Sequence, residues 1–219
     1  MIAFAGNNFG NPLFPRKYFE LPDAVSLDNS REMLRSGYKI GRELGIESGL
    51  TPPYPLIVAQ SKDRILPMLY QLTDFLLRDE PSVQFFVDTF TDEGHSTSTI
   101  LANRDVAPLE LISTLKKYED LLLNDGVHSY AIATPSSDIE VQLDDHKLIL
   151  IYAYSTETRA NLRAFLKECG IAYDPELPLV TEQDHHHHTQ YHHLTAINDL
   201  AVELRVSAEK RDDSDSWDL

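Results

Sequence analysis

The sequence predicts an α+β protein whose sheet is largely antiparallel, and three observations carry that class. Apolar runs at about 128–134, 138–143 and 147–154 are separated only by Pro135-Ser136-Ser137 and Asp144-Asp145-His146. Links that short join antiparallel neighbours, because a parallel crossover needs a dozen residues or more. Segments with apolar residues at helical spacing lie between the strand-like runs, in no regular β-α-β alternation. A chain of 219 residues with a 42% hydrophobic content is also long enough to bury a sizeable core without disulfides. The expected architecture is a mixed, mainly antiparallel sheet of about five to six strands with helices packed on it, plus a histidine-rich C-terminal helix. No internal repeat interrupts it.

In chain order, residues 1–27 form an extended arm rich in proline and aromatics. Phe9-Gly10-Asn11-Pro12-Leu13-Phe14-Pro15 excludes a regular helix, since proline fixes φ and removes a donor. Its rings still favour burial on the domain or on a second subunit. A single α+β domain is expected over 28–206. A cap at Asp28, Asn29 or Ser30 opens a helix to about Leu44, with Gly37, Gly41 and Gly45 on one face. Glycines at that spacing either admit another backbone or, at Gly45, close the helix. Thr51-Pro52-Pro53-Tyr54-Pro55 is a rigid connector into a short strand, Leu56-Ile57-Val58-Ala59. Ser61 caps the helix 62–78, whose stripe is Leu66, Leu69, Leu72, Thr73, Leu76 and Leu77. Ser82–Thr91 is rich in β-formers, and a Glu93-Gly94 turn leads to a second strand through Ile100 and Leu101.

Pro108–Leu123 repeats apolar residues at helical spacing and ends at Asn124-Asp125-Gly126, residues that tolerate the left-handed conformation. In the meander that follows, Ile139, Val141 and Leu143 alternate with polar neighbours, as in a half-exposed strand. Leu148–Tyr152 is continuously apolar, as in a buried one. Ser155 or Thr156 caps the next helix, and Gly170 closes it. A start at Thr181–Asp184 leads into a last helix reaching about Val206. Residues 207–219 read as an acidic disordered tail.

Charge narrows the function classes. Nineteen Lys and Arg stand against 35 Asp and Glu, a net −16. Nucleic-acid affinity comes from neutralising phosphates with basic side chains, so no nucleic-acid partner is expected. Anionic membrane surfaces repel such a chain, and no apolar run reaches the roughly 20 residues that span a bilayer. The single cysteine, Cys169, permits no intrachain disulfide. With no leader pattern at the N-terminus, these features point to the cytoplasm. A protein partner or self-association fits the charge and the aromatic arm.

Six of nine histidines fall in Asp184-His185-His186-His187-His188-Thr189-Gln190-Tyr191-His192-His193. On a helix, His185, His188 and His192 share a face, and His188 with His192 forms an i, i+4 chelating pair. Neutral imidazoles bind zinc, nickel and copper, and Asp184 or a carboxylate from elsewhere can complete the shell. The opposite stripe, Tyr191, Leu194, Ile197, Ala201 and Leu204, packs on the core, with His187 continuing it as a buried histidine. Three readings stand beside one another: a solvated helix end, a transition-metal site, structural or catalytic, and a pH switch. His128, Asp144, Asp145 and His146 form a second constellation, gathered at one end of the meander. Asp-Asp-His is also an ordinary turn sequence.

No nucleophile elbow, Walker sequence or dinucleotide fingerprint occurs, so no cofactor-binding residue is assigned and enzyme status stays open. The function expected is that of a non-enzymatic interaction or accessory protein; the alternative is a transition-metal-binding protein or metal-dependent enzyme built on the 185–193 segment.

Overall fold

The computed structural model describes residues 19–28, 33–41, 54–89, 99–136 and 138–209. Its strands are β1 (Val25–Leu27), β2 (Gly37–Ile40), β3 (Leu56–Ala59), β4 (Val83–Thr89), β5 (Thr99–Val106), β6 (His128–Ala133), β7 (Ile139–Leu143), β8 (Ile149–Ala153), β9 (His185–His187) and β10 (Ser207–Glu209). Its α-helices are α1 (Lys62–Leu77), α2 (Pro108–Leu115), α3 (Glu119–Asn124), α4 (Thr156–Glu168) and α5 (Tyr191–Glu203). Eight strands form one sheet in the order β10-β5-β4-β6-β7-β8-β3-β2, and β1 pairs with β9 in a separate ribbon. Every strand pair is antiparallel, so the α+β class holds. None of the described helices is long and apolar enough to cross a membrane.

The two faces of the large sheet follow from the period-two alternation of side chains. Val141, Leu143, Ile149 and Ile151 share the main core with Leu66 and Leu69 of α1, Leu111 of α2 and Leu162 of α4. Their neighbours Leu148 and Leu150 point the other way, with Ile57 and Ala59. They meet Ala24 and Val25 of the β1 region and Leu177, Leu179 and Val180 in a second, smaller core. The β1–β9 ribbon is therefore held on the sheet face opposite the helices.

Several expectations are corrected. Residues 33–41 hold strand β2 instead of the helix expected over 28–44. A backbone does come close at Gly37, as the glycine spacing suggested, but in a strand. A Cβ there lies 3.3 Å from the Ala172 carbonyl and 3.1 Å from the Leu177 side chain. Tyr38 N–H donates to Ala172 O at 2.9 Å, so the pairing partner decides the conformation. The expected helix over 108–123 is broken by a 3-10 turn at Lys116–Tyr118. Gly126 serves a close approach: its Cβ would sit 2.4 Å from Ala24 O and 2.9 Å from His188 O. Ser207–Glu209 adds an edge strand to β5 where a tail was expected.

The helix expected from Thr181 is overturned most fully. Val180–Glu182 is a 3-10 turn, His185–His187 a strand, and the helix begins only at Tyr191. Strand β9 forms because its backbone pairs with β1 in the register Val25↔His187, Ser26↔His186 and Leu27↔His185. The meander stands as read, as does α4. Ser155 Oγ accepts from Thr158 N, and Gly170 at φ 75° closes the helix with Ile171 N–H donating to Leu166 O at 2.8 Å. The segment Phe9–Pro15, the Glu93-Gly94 turn, Gly45 and residues 210–219 lie outside the described residues.

Candidate metal centre

Strand geometry sorts the four consecutive histidines by parity. Paired residues in an antiparallel ladder project to one side. Val25 is buried and Leu27 packs beside it in the second core, so His187 and His185, their partners, project towards the body of the protein. His186 and His188 project the other way. His186 Nε2 lies 2.8 Å from Asp28 Oδ1, and His188 Nε2 lies 2.7 Å from Ser26 Oγ.

The inward pair meets His146, delivered by the β7–β8 turn. Asp144 organises that turn: its N–H donates to Leu148 O at 3.0 Å, and its Oδ1 accepts from Leu148 N–H at 2.7 Å. Lys147 takes the left-handed position, φ 64°, that glycine normally fills in a three-residue hairpin loop. A non-glycine residue there costs about 1–3 kcal/mol and needs strong support from its surroundings. Support comes from burial of the lysine, whose Nζ donates to His128 O at 3.3 Å and sits 5.7 Å from the Tyr130 ring centre. Burial lowers the Lys147 pKa to about 8 against the pull of Asp125, Asp144 and Asp145.

Each of the three rings has its Nδ1 tied to an acceptor. His185 Nδ1 donates to Gln183 O at 2.7 Å, and His187 Nδ1 donates to Gly126 O at 2.8 Å. His146 Nδ1 faces Asp145 Oδ1 at 3.0 Å and Asp144 Oδ2 at 3.5 Å. Carbonyls and carboxylates only accept, so the hydrogen is fixed on every Nδ1 and the lone pair of each neutral ring on Nε2. His146 Nε2 and His185 Nε2 stand 3.0 Å apart. The ring centres of His146, His185 and His187 form a triangle with sides of 4.8, 4.6 and 5.1 Å. One ligand atom from each of the three lies within 4.8 Å of the others. Two imidazole lone pairs at 3.0 Å repel unless a proton or a metal ion lies between them. Burial opposes the imidazolium of His146, but Asp144 and Asp145 outweigh it and raise its pKa to about 9. Burial lowers the pKa of His187, against Asp145.

A second group, Asp120, His192 and His193, looks similar and differs in where the hydrogens sit. Gln190 N–H donates to His193 Nδ1 at 3.3 Å, which uses that ring's lone pair. Its Nε2–H then donates to Asp120 Oδ2 at 3.3 Å, while His192 Nε2 donates to the same oxygen at 2.8 Å. Asn124 Nδ2 adds a third donor to Asp120, at 2.7 Å. These bonds, from His192 first and then Asn124, hold the Asp120 carboxyl down to about 2. His193 is fully buried and caps the first turn of α5; Asp120 and His192 line an open groove with Tyr118, Thr195 and Asp199. A metal here would displace satisfied donors.

The expected triplet of His185, His188 and His192 is therefore not assembled. His185 joins His146, His188 faces Ser26, and His192 faces Asp120. Asp184 is exposed, and its backbone carbonyl accepts from Asp28 N–H at 3.2 Å. His187, expected to be buried, is exposed; the buried histidine is His193. Tyr191 and Leu194 are exposed too, and the inward face of α5 is His193, Ile197 and Leu200, continued by Leu204 at the C-cap. Of the meander constellation, Asp144, Asp145 and His146 do converge. His128 goes elsewhere, with its Nδ1 2.5 Å from Asp125 Oδ2. His187 was missed because no periodicity in the sequence says strand here. Comparison with protein-family models, curated proteins and solved structures gave no match.

Proposed function

We propose that this protein binds a transition-metal ion, most suitably zinc, through Nε2 of His146, His185 and His187. The observation that carries the reading is the fixed tautomer of all three rings, with Nε2 left as the only lone pair on each. Metal-binding histidines characteristically donate their other N–H to a carboxylate or backbone carbonyl, and each ring here already does so. The edges of a tetrahedral zinc shell are about 3.3 Å at Zn–N distances near 2.0–2.1 Å. The His146–His185 separation is close to that, and His187, with its ring centre 4.6 and 5.1 Å from the other two, supplies the third imidazole. Three imidazoles leave a fourth position for water or substrate, the composition of catalytic zinc sites. Asp145 stands behind two of the ligands, with Oδ1 3.0 Å from His146 Nδ1 and Oδ2 3.6 Å from His187 Nδ1.

Metal analysis of untagged protein, with a zinc titration by calorimetry, tests the reading. One equivalent of zinc is expected, lost in His146→Ala and in His187→Ala. A titration with no heat at 1:1 stoichiometry leaves a shared proton between His146 and His185 as the occupant and ends the metal reading.

A second reading, self-association or a protein partner, draws on Tyr191, Leu194 and Val202. These residues are 88%, 52% and 79% exposed and share one side of α5. Light scattering of Leu194→Glu against wild type checks it: an unchanged mass counts against self-association through this stripe.

A further inference from the structure

We infer that Asp125, which touches none of the three rings, is the positioning residue that makes His187 a metal ligand, and that it does so by tying the β9–α5 junction to the end of α3. The inference rests on the three-histidine reading. Asp125 is completely buried. Its Oδ2 accepts from the backbone N–H of His128 at 3.1 Å and from His128 Nδ1 at 2.5 Å. Its Oδ1 accepts from the hydroxyl of Thr189. One carboxylate thus joins α3, the start of β6 and the residue two places beyond His187.

The next residue completes the mould around His187. Gly126 O accepts from His187 Nδ1 at 2.8 Å, and Gly126 N–H donates to His188 O at 2.7 Å. His188 N–H donates in turn to Ala24 O at 2.7 Å. The backbones come so close that Gly126 has no space for a side chain. The carbonyl that fixes the His187 tautomer is therefore oriented by a turn that Asp125 anchors on both sides, through His128 behind it and Thr189 ahead of it. Without that anchor the Gly126 carbonyl is held less firmly, by the Gly126 N–H bond to His188 O, and the His187 preference for the Nδ1–H form that leaves Nε2 for the ion weakens. Outer-shell partners that accept a ligand's other N–H change metal affinity about 10–100-fold; Gly126 O is that partner here, and Asp125 acts through it.

Cobalt(II) serves as the probe, titrated into the full chain as wild type, Asp125→Asn, Thr189→Val, Thr189→Ser and His187→Ala. Asp125→Asn is expected to weaken cobalt binding about 10–100-fold. Thr189→Val should weaken it less, and Thr189→Ser should restore it. Ring 15N spectra of the metal-free protein supply a readout that a general loss of stability does not move: His187 should change from one tautomer to a mixture in Asp125→Asn and in Thr189→Val. Wild-type affinity and a single His187 tautomer in both variants overturn the inference while leaving the metal site standing. Should Asp125→Asn fail to fold, Thr189→Val alone decides in the same terms. A wild-type protein that takes up no cobalt ends the underlying reading instead, so the two failures are told apart.

Discussion

The two clusters each take two histidines from the same short segment, yet they present opposite faces of the same chemistry. At His146, His185 and His187, each ring has its hydrogen pinned outward on Nδ1 and its lone pair turned inward. At His192 and His193 the hydrogens face Asp120, and the His193 lone pair is spent on Gln190 N–H. In the first arrangement the inward nitrogens converge on a place that a proton or a metal ion can take; in the second the nitrogens that face Asp120 and Gln190 N–H already have their partners. Histidine density therefore says little about metal binding, whereas the partner of the second ring nitrogen says much.

The largest effect expected from this contrast is on zinc itself. His146→Ala should lower zinc affinity by about a hundredfold or more, since the loss of a direct ligand exceeds an outer-shell change. His192→Ala and Asp120→Asn should leave stoichiometry and affinity unchanged by calorimetry. Comparable loss in both sets of variants breaks the distinction between the clusters.

Next in size is a pH effect confined to the first cluster. His146 has a folded pKa of about 9, above its ordinary 6.5. Its protonation therefore stabilises the metal-free protein fully below pH 6.5, and that contribution is lost as pH rises through 9. Its size is at most roughly 3 kcal/mol. Denaturant unfolding at pH 6 and pH 10, in chelator, should show a fall that is absent in His146→Ala. Zinc must displace the same proton, so its affinity should rise about tenfold per pH unit up to pH 9. A flat profile removes His146 from the ligand set.

Gly126→Ala tests the mould that the first cluster shares with the ribbon. With a Cβ 2.4 Å from Ala24 O and 2.9 Å from His188 O, the backbones must part. A loss of about 2–3 kcal/mol is expected in thermal unfolding, together with weaker zinc binding. A variant as stable as wild type shows that the ribbon is not gripped there.

The smallest effect belongs to the second cluster. The Asp120 carboxyl, held to about 2 by His192 and Asn124, supports stability above its ordinary range near 3.8, and that support is lost as pH falls through 2. Asp120 and His192 are 60% and 58% exposed, so water and salt screen the pair and the acid transition of Asp120→Asn should move only slightly. A large shift contradicts the solvated character assigned to this group.

Alternation in Ile139–Leu143, short polar turns and the capping residues around 156–170 are local signals, and by themselves they determined the meander, α4 and the α+β class. The Asp-Asp-His turn was visible on the same grounds, because a tight hairpin link is dictated by a few residues. Local sequence could not determine the conformation of 184–190. A run of identical histidines has no apolar periodicity, so helix and strand differ little in intrinsic preference. Pairing with Val25–Leu27, more than 150 residues away in sequence, supplied the difference. That pairing made His185 and His187 neighbours on one side, brought them to His146, and sent His188 and His192 to other partners. The sequence determined that imidazoles would be plentiful in this region. Only tertiary structure decided which nitrogen of which ring kept its lone pair, because that depends on a carbonyl or carboxylate delivered from another part of the chain.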